Sequence, residues 1–90
     1  MDPKDSSVLK IYFTAFGRET LMAFKETYDE KGMSFQEVTT KQLGKIFVAE
    51  VKELLNSLNE DTIDFNKVLK DIAKISSRCF MLYMNAKQKK

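Results

Sequence analysis

The sequence predicts an all-α protein, a small bundle of three main helices that is expected to be dimeric. Three observations carry that reading. Apolar residues recur at spacings of three and four through three separate segments, with no strand-length alternation. One proline and three glycines in ninety residues leave little to interrupt a helix. With 43% apolar and 31% charged residues, the composition is that of a chain that folds around a core. Ninety residues give one helical domain, 1–90, with residues 1–6 and 87–90 expected to be flexible.

Helix 1 is expected over 7–31. Leu9, Tyr12, Phe13, Phe16, Leu21, Phe24 and Tyr28 set its apolar positions, and Asp5, Ser6 and Ser7 are candidate caps. Gly17 is the interior position where this segment can turn and split in two, although one interior glycine costs only about 1 kcal/mol, which favours a single helix. Gly32 stands where a C-terminal cap belongs, directly after Lys31, whose charge suits the end of the helix dipole.

Two capping-box patterns follow, Ser34-x-x-Glu37 and Thr39-x-x-Gln42. Helix 2 is expected over 39–58, with Leu43, Ile46, Phe47, Val51, Leu54, Leu55 and Leu58 forming a wide apolar stripe. Asn59-Glu60-Asp61-Thr62 ends it, because short polar side chains compete for backbone hydrogen bonds. Helix 3 is expected over 65–86, capped by Asp64 or Asn66. Val68, Leu69, Ile72, Ile75, Cys79, Leu82 and Tyr83 share one of its sides. Cys79 on that stripe reads as a small apolar filler.

Several function classes fall away on composition. With no histidine and a single cysteine, ordinary zinc, haem and Ser-His or Cys-His sites lack their residues, and no internal disulfide can form. Catalytic residues, cofactors and metal ligands are therefore expected to be none. The carboxylate pairs Glu50/Glu53, Asp61/Asp64 and Glu26 with Asp29 or Glu30 fit solvated helix faces and polar connections. The opening MDPKDSSVLK has no basic, apolar leader pattern, and no uncharged run nears the twenty or so residues of a bilayer span. A cytoplasmic or nuclear, intracellular protein is expected.

Charge is uneven along the chain. Residues 1–30 carry four basic and six acidic side chains, 31–60 four of each, and 61–90 seven basic and three acidic. Lys67, Lys70, Lys74 and Arg78 recur at three and four, so they align as a basic stripe, although Asp71 is set within it. A small dimeric nucleic-acid-binding regulator, with these four residues contacting phosphates, is the alternative function. A net charge of +2 and the lack of aromatic residues on that face count against it.

Two stretches, KGMSFQEV and DTIDFNKV, resemble each other and the exit half of an EF-hand, and the chain length is similar to that of the small paired-EF-hand calcium-binding dimers. The resemblance implies a paired-EF-hand fold, but the ligand positions are broken. With Glu37 as the twelfth loop residue, Tyr28 and Lys31 fall where a ligand and the turn glycine belong. With Lys67 as the twelfth of a second loop, the bidentate carboxylate is missing. A degenerate EF-hand-like module without calcium binding is thus the second alternative. TIDFNKVLKDI after a central helix also resembles the histone-like handshake, though helix 2 is short for it.

The favoured function is a non-enzymatic protein–protein interaction or homodimerisation module, an adaptor or regulator. Its expected interface is Phe80, Met81, Leu82, Tyr83 and Met84, which are consecutive and so point in all directions around helix 3. One neighbouring layer can cover only about half of them, and soluble monomers seldom leave such a patch open.

Overall fold

The computed structural model describes all ninety residues as three long helices: α1 (Pro3–Lys31), α2 (Thr40–Leu58) and α3 (Phe65–Lys89), with a single 3₁₀ turn at Ser34–Gln36. The three-helix expectation holds, and no strand pairs the two EF-hand-like stretches. Two boundaries move outward. Helix α1 starts at Pro3 and not at residue 7, because Asp2 is the cap: its side chain accepts from the Lys4 amide at 2.8 Å, and proline suits the first turn. Helix α3 continues through Lys89, past the expected end at 86. Gly17 sits inside one unbroken helix.

The caps are otherwise as the sequence indicates. Gly32 closes α1 with φ of 59°, the chain's one positive φ, and its amide donates to the Tyr28 carbonyl at 2.7 Å. Thr39 and Gln42 form the capping box of α2, each side chain accepting from the other's amide at 3.1 Å. Ser34 opens the 3₁₀ turn instead, and Asp64 caps α3.

These boundaries do not leave two calcium-type loops. The first would begin at Glu26, yet α1 stays helical to Lys31, and the second would begin at Asn56, inside α2. Between them stands one helix, where a paired EF-hand needs two helices and a linker.

Helix α3 is the centre of the molecule. Helices α1 and α2 each pack on it and barely on each other. Thr20 meets Ser76 and Phe24 meets Phe80, so α1 runs parallel to α3. Thr40 meets Asn85, Glu50 meets Arg78 and Ser57 meets Asp71, so α2 runs antiparallel. The core is small: Phe35, Leu43 and Met81, flanked by Phe24, Val38, Leu82 and Met84. Phe24 packs edge-on against both Phe35 and Phe80, at 6.0 and 5.5 Å between centroids.

Candidate interaction surface

Only seven residues are buried, and four of them are polar: Ser57, Asp71, Ser77 and Asn85. Polar side chains therefore occupy much of the seam between α2 and α3. Asn85 is fully enclosed and fully used. Its Nδ2 donates to the carbonyls of Phe35 and Val38 at 2.8 and 3.0 Å, while its Oδ1 accepts from Thr40 Oγ1 at 2.6 Å. Lys89 Nζ donates to the same Val38 carbonyl. These bonds fasten the connection before α2 to the end of α3, giving backbone groups outside the α-helices their partners.

Further along the seam, Arg78 Nε donates to Glu50 Oε1 at 2.8 Å, a pair largely shielded from water. At the far end Asp71 accepts from Ser57 Oγ and from Lys67 Nζ, both at 3.1 Å, and Lys67 also donates to Ser57 at 2.6 Å. Burial alone would raise the Asp71 carboxyl. The hydrogen bonds from Lys67 and Ser57, with the charges of Lys67 and Lys74, outweigh it and hold the group below its ordinary value.

The basic stripe of α3 is thereby divided. Lys67 and Arg78 are engaged with carboxylates across or along the seam, while Lys70 and Lys74 line a groove between α1 and α3 that Glu19 and Glu26 line from the other side. The four cations do not stand together as one free face.

The structure also distributes the expected interface residues. Met81 is 1% exposed and belongs to the chain's own core, with Met84 and Leu82 packed against it. Burial takes Met81 away from any surface role. Phe80 remains partly exposed beside Phe24, and Tyr83 is exposed with Lys87 Nζ 5.6 Å from its ring centre. Cys79, read as a buried filler, is exposed. Helix α3 turns its polar line Asp71, Arg78, Asn85 to α2, which leaves Val68, Ile72, Ile75 and Leu82 half-buried and Cys79 and Tyr83 exposed.

That stripe is half of a larger apolar face. At 100° per residue, Val68, Ile72, Ile75, Cys79 and Leu82 lie about a third of a turn around α3 from the residues that meet α1. Helix α2 adds Phe47, Val51, Leu54, Leu55 and Leu58 on the same side, with Leu55 and Leu58 among the exposed large apolar residues. Its middle is half-buried between the two helices, at Phe47, Val51, Leu54, Val68, Ile72 and Ile75, while Cys79, Leu55 and Leu58 are exposed along it.

A second uncovered region is the first half of α1. Every residue from 1 to 19 is exposed, Tyr12 and Phe13 by 71% and 76%. The register that brings Thr20, Ala23, Phe24 and Thr27 against α3 continues backwards as Phe16, Phe13 and Leu9, all three of them exposed. Sequence reasoning missed this arm because its stripe is identical in kind to one that is packed.

No cluster of three or more His, Cys, Asp and Glu side chains gathers in a metal-holding arrangement, and no helix is long and apolar enough to cross a membrane. Set against protein-family models, curated proteins and solved structures, the chain gives no significant match.

Proposed function

We propose that this chain is a non-enzymatic protein–protein interaction module, an adaptor or regulator working in the cytoplasm or nucleus, where a single free thiol stays reduced. Its working surface is the apolar face of α2 and α3, including Leu82 and Tyr83 of the expected interface, together with the exposed arm of α1. The observation that carries this is area. The chain exposes 7214 Å², whereas a folded monomer of its mass exposes roughly 5,400 Å². Its radius of gyration of 15.2 Å compares with about 12 Å for a compact domain of this length. Exposed large apolar side chains, among them Leu9, Ile11, Tyr12, Phe13, Leu55 and Leu58, contribute to that surplus, and exposed apolar surface of this kind marks chains that bind a partner.

The mechanism is burial of aromatic and aliphatic side chains, with lysines and glutamates at the rim setting orientation and encounter rate. The test is binding of an apolar naphthalene-sulfonate dye to the folded chain on dilution, beside small-angle scattering. Dye binding that falls several-fold in the Leu55→Asp, Leu58→Asp variant, with helix content unchanged, supports the reading. A wild-type chain that binds no dye at any dilution and scatters with a radius of gyration near 12 Å has closed over its own face, which ends it.

A further inference from the structure

Resting on the interaction reading, we propose that the α2–α3 face is filled by a second copy of this chain, specifically by residues 3–19 of its α1. The two copies exchange these arms reciprocally about a two-fold axis.

The chain cannot cover the face with its own arm. Helix α1 docks on α3 about a third of a turn away from that face. Swinging it round would break the Thr20–Ser76 hydrogen bond of 2.6 Å and the Phe24–Phe80 contact. The stripe Leu9, Phe13, Phe16 stays exposed on its own subunit.

Arm and face match in length. Seventeen helical residues, 3–19, span about 25 Å, and the stretch from Val68 to Leu82 spans about 22 Å. The chain's excess area also suits a dimer. Covering the surplus of about 1,800 Å² on each chain removes roughly 3,600 Å² in total, inside the 2,000–5,000 Å² range of obligate homodimers. A single apolar peptide helix laid on one face would leave each chain's own arm in water, whereas reciprocal exchange covers both regions at once.

Charge agrees. Residues 3–19 hold Lys4, Lys10 and Arg18 against Asp5 and Glu19, so the arm's side chains carry a net charge of only +1 to repel a copy. By helical register, Asp5 and Glu19 flank the apolar stripe of the arm, and Lys41 and Lys52 border the α2 edge of the face beside Val48 and Leu55. Such rim charges orient the two copies.

The experiment is sedimentation equilibrium of the full chain from low to high micromolar concentration. The expected mass is twice the chain's 10.4 kDa. Phe13→Asp in the arm and Leu55→Asp in the face alter exposed side chains, so each variant keeps its helix content while its dissociation constant rises about 100-fold. Tyr12→Asp replaces Phe13→Asp should that variant lose helix. Mixing the arm variant with the face variant leaves one undamaged arm–face contact, so the mixture associates at least about tenfold more tightly than either alone. Alkylation of Cys79 slows in the associated wild type. Loss of association in the arm variant alone, with no effect of Leu55→Asp and no gain on mixing, means that arm meets arm and overturns the proposal. A monomeric wild type also overturns it. If that monomer still binds the apolar dye, the interaction reading stands with another partner, and if it does not, both fall.

Discussion

The seam between α2 and α3 and the first half of α1 belong to one chain but follow opposite rules. The seam is fastened by directional polar contacts: Asn85 to two carbonyls and Thr40, Arg78 to Glu50, Asp71 to Ser57 and Lys67. The arm carries Leu9, Ile11, Tyr12, Phe13 and Phe16, which would suit a core, and all of them are exposed. Polar groups inside and apolar groups outside is the reverse of what a self-sufficient monomer does. Polar seams fix which surfaces meet but contribute little net free energy, because the desolvation of each group offsets most of its hydrogen bonding. The apolar side chains of the arm stay outside the chain's own core.

The largest contrast comes from placing the same charge in each region. Met81→Asp puts an unpaired carboxylate into the core and is expected to cost more than about 4 kcal/mol, which unfolds a marginal chain. Phe13→Asp, measured below the association range, is expected to change stability by less than about 0.5 kcal/mol. Urea titration of both reads the difference, and equal losses would mean that the arm is packed in the isolated chain.

Asn85→Ala comes next. It strands the carbonyl of Phe35 and the hydroxyl of Thr40 and leaves the Val38 carbonyl to Lys89 alone, at an expected loss of about 2–4 kcal/mol in the urea midpoint analysis. A loss under 1 kcal/mol would show that water replaces these bonds readily, and the polar clamp would lose its role.

The seam is also the acid-sensitive region. Asp71 is held below its ordinary value when folded, so its contribution to stability is full above the unfolded aspartate value of about 3.9 and is lost as pH falls through the lower folded value. Unfolding followed from neutral pH downward should lose part of this fall in Asp71→Asn. Identical pH profiles for the two chains would remove Asp71 from the account. The smallest effect is expected at Ser77, whose buried hydroxyl has no hydrogen-bond partner. Ser77→Ala should be neutral or stabilising by up to about 1 kcal/mol in thermal melts, since no bond is lost with the hydroxyl.

Helix identity was legible in the sequence because it depends on local spacing. Gly32, the Thr39/Gln42 box and Asp64 end or start helices through contacts within a few residues, and each stands where its neighbours indicate. Asp2 was missed as a cap because Asp5, Ser6 and Ser7 offer the same chemistry three to five residues later, and only Pro3 argues for the earlier start. Which face of α3 turns inward is not local. A stripe of Val68, Ile72, Ile75 and Leu82 packs equally well within a chain or between chains, and the polar line Asp71, Arg78, Asn85 carries no signature that marks it as interior. Met81 went inward for that reason, along with the seam, while Cys79 was left outside.

Hydrogen–deuterium exchange followed as a function of protein concentration tests the central contrast most directly. The amides of residues 3–19 should exchange rapidly at the lowest concentration and gain protection as association sets in, while those around Asn85 keep the same protection throughout. Arm amides protected as strongly as those of the α3 seam in a monomeric sample would contradict the account, because the first half of α1 would then be packed within its own chain.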